Sequence, residues 1–432
     1  MNMLFPNWTR LMSRRIRRSR RPLGVAAAEL LERRIVPAVN LTGSSTVTIV
    51  ISSGEDVTVS QDDADANADG FVALQLVIDG DTRIYDGETL SDEPTPTVYP
   101  FIDANFVESL TIKATASGLS GTNGDNVIDL GDMSEAAYVL LSSLTVKAGG
   151  GNDVITGSPL TTLNEVIFGG RGDDSIDGGN GSDVLNGEDG NDTITGGAGG
   201  VDDGDDTILG GAGTDVLTGG DGNDNIKGQI GNDSIVAGAG DDRIDGSDGN
   251  DTLNGGDGND SILAGNGNDV VFGDDTDGAV APGNDTIDGG AGFDLIRGEE
   301  GDDSINGGDG NDIIGGGTGD DTLNGGNGND KVFGDAGNDV ISGGAGNDTL
   351  LGGDDNDSLV GGAGNDIMAG QDGIDTVNGQ GGSDTVAGGS GGAGGTADPG
   401  DFVIGAPAEQ KEESTLVTGP NIGWTNLVRD VT

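Results

Sequence analysis

The sequence predicts an all-β protein, a parallel β-roll preceded by a smaller β-rich N-terminal domain. Three observations carry this. A nine-residue glycine- and aspartate-rich period repeats from about residue 148 to 388. The chain holds 87 glycines among 432 residues, with 3% aromatic and 32% apolar side chains. That is too little apolar material for a conventional packed core, where about 45–50% is usual. Ahead of the repeats lie short β-branched runs separated by Gly, Asp and Pro clusters, the pattern of strands and turns.

Residues 1–38 form a basic segment read as an export or targeting element. Residues 1–39 carry nine Arg against Glu29 and Glu32, while the whole chain has a formal charge of −57. Arg14, Arg15, Arg17, Arg18, Arg20 and Arg21 resemble a signal-peptide n-region, although the apolar run after them, Leu23 to Ala28, is short. Leu31-Glu32-Arg33-Arg34-Ile35-Val36-Pro37-Ala38 resembles the LEPR-XLL motif near the N-terminus of large extracellular proteins of planctomycete bacteria. Arg33 and Ile35-Val36 depart from its strict form. The resemblance implies export.

Residues 39–147 read as a β-rich domain or a cap on the roll. Strands are expected at 47–51, 57–59, 71–78 and 110–112, and residues 135–146 fit either a short helix or a strand. Gly121 to Asp129 reads as one imperfect repeat, with Asn126 where later repeats place aspartate. Residues 389–432 begin as a Gly/Ser linker and end in an irregular tail with Phe402, Trp424 and Leu427. The tail is expected to cap the roll or to serve as a secretion signal.

Within 148–388 the repeat reads G-G-x-G-x-D-x-U-x, with U large and apolar. Residues 210–272 show it as GGAGTDVLT, GGDGNDNIK, GQIGNDSIV, AGAGDDRID, GSDGNDTLN, GGDGNDSIL and AGNGNDVVF. A strict period marks a solenoid rather than a disordered polar chain. Position 8 is apolar in each phased repeat, from Ile176 to Val386. Between polar or small neighbours it makes x-U-x a minimal strand, with the middle side chain inward. Glycines at positions 1, 2 and 4 are expected to supply φ > 0 and tight curvature. Asn at position 5, as in Asn250, Asn259 and Asn329, is expected to tolerate left-handed backbone and cap the turn. Two longer steps, Asp192 to Asp206 and Asp269 to Asp285, place extra residues in the glycine loops at Gly200-Val201-Asp202-Asp203 and from Asp274 to Pro282. Both should bulge outward and leave the strands aligned.

Two repeats make one coil, so aspartates eighteen residues apart share an edge. Asp215, Asp233, Asp251 and Asp269 are expected on one edge, and Asp224, Asp242 and Asp260 on the other. Further along, Asp294, Asp312, Asp330, Asp348, Asp366 and Asp384 share an edge. Asp303, Asp321, Asp339, Asp357 and Asp375 face the opposite way. Asp153, Asp174, Asp183, Asp192, Asp206 and Asp285 complete the set of candidate metal ligands. One buried Ile or Leu per nine ordered residues cannot by itself hold such a fold against chain entropy and carboxylate repulsion. Paired carboxylates with glycine carbonyls suit a hard cation that takes about six to eight oxygens in tolerant geometry, which is Ca²⁺. Mg²⁺ demands stricter octahedral geometry. Zinc and copper favour His or Cys, and the chain has neither.

These repeats are similar to the RTX, or haemolysin-type, calcium-binding nonapeptides. The resemblance implies a right-handed parallel β-roll with several Ca²⁺ ions between successive turns. It also implies ligation by the position 6 aspartates and by loop carbonyls, and often an uncleaved C-terminal secretion signal. Gln229, Glu299 and Gln371 depart from the pattern at position 2. Asp355 departs at position 4, where it is expected to add a ligand or spoil a turn.

Without His or Cys, Ser-His-Asp and Cys-His catalysis and the His-Glu-x-x-His zinc motif are excluded. The acidic charge disfavours nucleic acid and anionic membranes, and no apolar stretch reaches the length of a membrane helix. The reading is a non-enzymatic, extracellular or cell-surface protein that folds on calcium. Its role is structural or adhesive, with cell-surface or matrix polysaccharide or protein as candidate partners. The alternative is a secreted hydrolase with a small catalytic domain in 40–147, working through carboxylates alone. Glu88, Glu93, Asp103 and Glu108 are the acids available for that.

Overall fold

The computed structural model describes residues 127–130, 143–197, 204–274 and 282–387 in full. It also describes the backbone of short strands at 40–41, 46–52, 57–62, 73–78, 81–84, 109–115, 402–404 and 415–416. Expectations for residues 1–38, for Asn126, for the loop insertions at Gly200-Val201-Asp202-Asp203 and at 275–281, for Glu88, Glu93, Asp103 and Glu108, and for Trp424 and Leu427 lie outside the described residues.

The described chain is all-β, and no helix occurs in it. Each repeat contributes one strand, and alternate strands enter two parallel sheets. Val184–Asp189, Thr207–Ala212 and Asn225–Ile230 are neighbours in one sheet, while Val216–Asp221, Ser234–Ala239 and Thr252–Asp257 are neighbours in the other. Register advances by one coil of eighteen residues, as in Leu217↔Ile235 and Ile235↔Leu253. Across the two long steps the partners are Val184↔Thr207 and Ser261↔Thr286, so the extra residues are absorbed and the strands stay aligned.

The strands are longer than the expected triplet. A strand such as Val216–Asp221 runs from position 7 through position 3 of the next repeat, and Gly220 and Asp221 pair with Gly238 and Ala239. Positions 8 and 1 both point inward. Position 8 supplies the core, a column of Ile, Leu, Val and Met from Ile176 to Val386, each at most 3% exposed. Position 1 is buried too, and a small residue stands there for a reason other than the one expected. Positive φ occurs at positions 2 and 4 and not at position 1. At position 1 space is tight: a Cβ on Gly246 would lie 2.5 Å from the Ala264 carbonyl oxygen and 2.6 Å from Asp251 Oδ2, and the other repeats admit nothing larger than the fully buried Ala148, Ala237 and Ala264 there.

The repeats that break the glycine pattern keep the backbone. At position 2, Gln229, Glu299 and Gln371 take φ between 76° and 79°. Glu188, Ser247, Asp335 and Gln380 do the same at that position, with φ from 59° to 76°. Asp355 does not spoil its turn; it adopts φ 77° with an exposed side chain.

The same two sheets continue N-terminally. Thr46–Ser52 pairs parallel with Ser109–Thr115, which pairs with Ser143–Gly150 and so with Glu165–Arg171. Val57–Asp62 pairs parallel with Val127–Asp129, itself paired with Val154–Ser158. Antiparallel partners appear only here among the described strands: Asn40–Leu41 on one sheet, Ala73–Ile78 and Asp81–Ile84 on the other. At the far end Phe402–Ile404 and Thr415–Leu416 add one further strand to each sheet.

Candidate metal centre

Each turn between strands places its position 6 aspartate just before the inward-facing position 8. The strand that follows fixes the main chain, because the position 7 N–H donates to the position 6 carbonyl one coil back, as Ser234 to Asp215 at 2.9 Å. The carboxylate is therefore folded back under its own loop. All twenty-four predicted aspartates are buried, with exposures of 0–4%.

They form two continuous ladders. In each, the main-chain N–H of one aspartate donates to Oδ1 of the aspartate in the next coil. The first ladder runs Asp153, Asp174, Asp192, Asp215, Asp233, Asp251, Asp269, Asp294, Asp312, Asp330, Asp348, Asp366, Asp384, with bonds of 2.8–3.1 Å. The second runs Glu165, Asp183, Asp206, Asp224, Asp242, Asp260, Asp285, Asp303, Asp321, Asp339, Asp357, Asp375, with bonds of 2.6–3.0 Å. Neither breaks at the insertions. The two stretches that look separate in sequence share the same pair of rows.

Oδ1 is thus satisfied, and Oδ2 is not. In Asp174, Asp192, Asp215, Asp233, Asp242, Asp251, Asp260 and Asp269, and again from Asp285 through Asp366, Oδ2 is buried without a hydrogen-bond donor. An ionised oxygen in that state is costly unless a positive group compensates it. Main-chain carbonyl oxygens bound the same spaces as these Oδ2 atoms. The space a Cβ would fill on Gly246 is bounded by Asp251 Oδ2 and the Ala264 carbonyl, and on Gly325 by Asp330 Oδ2 and the Gly343 carbonyl, each at 2.6 Å for Gly325. In the second row Gly298 meets Asp303 Oδ2 and the Gly316 carbonyl in the same way. Among the described residues, no three acidic side chains converge on one point. The donors at each turn are one or two carboxylates together with main-chain carbonyls. Such an all-oxygen set, with no nitrogen or sulfur, fits a hard divalent cation.

The electrostatics agree with that need. Burial is the largest cause raising these carboxyls, and the main-chain N–H to Oδ1 opposes it. Asp260 is pushed up to about 8 by burial, with Asp285, Asp242 and Asp274 adding to the effect. Asp174, Asp285, Asp294, Asp303, Asp321 and Asp357 reach about 7. Asp192, Asp215, Asp242, Asp251, Asp330, Asp339 and Asp366 reach about 6.

Three features of the site escape the repeat pattern. Glu165 occupies the position 6 place at the head of the second row, hidden by three extra residues in its loop; its spacing of eighteen from Asp183 was the available signal. Asp274 is fully buried at the start of the longer insertion and accepts the N–H groups of Gly283 and Glu300, both at 3.1 Å, which fastens that loop at its base. The position 5 asparagines do not take left-handed backbone. They form a second kind of ladder, exposed and opposite in sense: Asn311 Oδ1 accepts the N–H of Asn329 at 2.8 Å and its Nδ2 at 3.0 Å, and Asn329 does likewise for Asn347.

No curated protein matches the chain. The family described as RTX calcium-binding nonapeptide repeat (4 copies) matches in overlapping stretches from residue 145 to 392 that together cover more than half of the sequence. The chain therefore belongs to the RTX calcium-binding nonapeptide repeat family, and it is a β-roll that binds multiple Ca²⁺ ions.

Proposed function

We propose that the two aspartate rows are the calcium ligands, and that the protein is an exported, non-enzymatic β-roll whose folding depends on the calcium found outside cells. The observation that carries this is the file of buried Oδ2 atoms with no donor, repeated coil after coil in both rows. Asp153, Asp183, Asp206, Asp224, Asp375 and Asp384 hold equivalent places and belong to the same ligand set. Calcium supplies the positive charge that lets these carboxylates stay ionised inside the roll. The protein supplies everything else: the Oδ1 bond orients each carboxylate, the small position 1 residue leaves room, and the position 8 column excludes water behind it.

Because the sites exist only when neighbouring coils are stacked, binding energy is folding energy. Modest affinity suffices at extracellular calcium levels of about millimolar. Inside the cell the same chain would stay unfolded, which suits export. A roll with regular repeating faces suits a structural or adhesive role at the cell surface, with polysaccharide or protein of the surface or matrix as partner. Residues 1–38 would serve as the export segment, 39–147 as the N-terminal β-rich part, and 389–432 as linker with cap or secretion tail.

The test is a calcium titration followed by far-UV circular dichroism, with Mg²⁺ as control. The expected result is a disordered chain in chelator that gains β-structure with Ca²⁺ and far less with Mg²⁺. A chain fully folded in excess chelator would overturn the proposal.

A further inference from the structure

Glu165 stands where the nonapeptide pattern has no aspartate. Its side chain is fully buried, and its main-chain N–H donates to Asp183 Oδ1 at 2.6 Å, the same bond each aspartate makes to the next coil. In the coil before it the matching residue is Leu144, so the row of carboxylates ends at Glu165.

The loop leading to it is fastened from within. Leu160 and Leu163 are both buried, and the Leu163 N–H donates to the Leu160 carbonyl at 3.2 Å. Ser158 N–H donates to Glu165 Oε1 at 3.2 Å. Oε2 is buried and has no donor. The Glu165 main chain is tied to Asp183, the next carboxylate of the row. A buried carboxylate oxygen without a donor is costly in its ionised form unless a positive group compensates it. The Gly178 carbonyl faces the space beside Gly157, the position 1 glycine of the Glu165 repeat, and Asp183 Oδ2 faces the space beside Gly178. A glutamate reaches one carbon further than aspartate and can offer both oxygens, a common mode in calcium sites.

We propose that Glu165 is the terminal ligand of the second row, holding with Asp183 a hard divalent cation in a repeat where glutamate stands at position 6 in place of aspartate. This rests on the reading of the aspartate rows as calcium ligands. The alternative, a protonated Glu165, is separated from it by counting ions.

The experiment is native mass spectrometry of the full chain in saturating calcium, comparing the parent with Glu165→Gln, alongside circular dichroism of both. Glutamine keeps the shape and the acceptor for Ser158. The expected result is one Ca²⁺ fewer in E165Q, with the calcium-induced β signal unchanged. An equal number of ions would overturn the assignment of Glu165. Loss of several ions, or of the β signal, would also overturn it, since a terminal ligand serves one site. A parent chain that binds no calcium would instead overturn the reading of both rows, so the two failures are distinct.

Discussion

The main-chain N–H of Asp233 donates to Asp251 Oδ1 at 2.8 Å, while Oδ2 of the same Asp251 is buried with no donor. One carboxylate therefore does two jobs. Oδ1 ties its coil to the one before it and so fixes register. Oδ2 creates a demand for positive charge at the coil boundary. The first job needs only an acceptor, and the second needs an ionised group, so substitution can separate them.

Asp251→Asn should keep the bond from Asp233 and lose the charge, whereas Asp251→Ala loses both. In saturating calcium both variants should unfold at lower urea than the parent. The alanine variant should lose a further ~1–3 kcal/mol, because the buried Asp233 N–H is left without an acceptor. Urea midpoints in saturating calcium measure the difference. Equal midpoints for the two variants would show that the Oδ1 ladder contributes nothing.

This division of labour explains what the sequence made legible. The nine-residue period is enough to place Asp233, Asp251 and Asp269 in one row and Ile235 behind them, because register and inward direction follow from period alone. The period does not say which oxygen of Asp251 is already used. It also hides why Gly246 is glycine, since a position of tight approach and a position of positive φ read alike as Gly. The asparagines were misread for a related reason. Asn329 suits a turn by propensity, but its bonds run to Asn311 one coil away, and only the stacked structure brings the two together. Glu165 was missed because three inserted residues break the local phase, though not the spacing to Asp183.

The raised carboxyls make the calcium-free roll sensitive to pH. Their folded values, about 6 for Asp251, 7 for Asp303 and 8 for Asp260, lie above the ordinary 3.8 of an unfolded aspartate. The folded state then binds protons more tightly than the unfolded one. Stability from this source is complete below about pH 4 and is lost as pH rises through about 6 to 8. Calcium-free chain should therefore show more β-structure near pH 4 than at pH 8. Ligation requires the ionised form, so apparent calcium affinity should rise across the same window. Circular dichroism of dialysed protein at several pH values checks the first statement, and calcium titrations at pH 6 and 8 the second. Greater order at pH 8 than at pH 4 without calcium would contradict the electrostatic account.

Asp355 is held at φ 77° in a turn where the neighbouring coils have glycine, and the cross-coil bond beside it is long. The cross-coil bond from Gly337 N–H to the Asp354 carbonyl is 3.4 Å, against 2.7 Å for the equivalent bond from Gly346 to Ala363. Left-handed backbone costs a side-chain-bearing residue about 1–2 kcal/mol, part of which glycine returns through its greater freedom when unfolded. Asp355→Gly should therefore raise stability in calcium by about 0.5–1 kcal/mol, read as a higher urea midpoint. A lower midpoint would mean that the Asp355 side chain supplies a stabilising contact of its own.

Phe293 interrupts the exposed asparagine ladder. Its N–H donates to Asn268 Oδ1 at 2.9 Å, but its ring offers no acceptor to the next coil, and it is 48% exposed. Asn311, one coil further, resumes the ladder by accepting from Asn329. Phe293→Asn should complete the file from Asn268 to Asn311, since the backbone is already placed for it. An exposed amide bond contributes toward the low end of about 0.5–1.5 kcal/mol, so a small rise in thermal midpoint in saturating calcium is expected. The substitution also removes an exposed aromatic group, so turbidity on heating should fall. A lower midpoint would show that the ring packs on its neighbours more usefully than the ladder bond it displaces, and the asparagine file would then be a consequence of stacking rather than a cause of it.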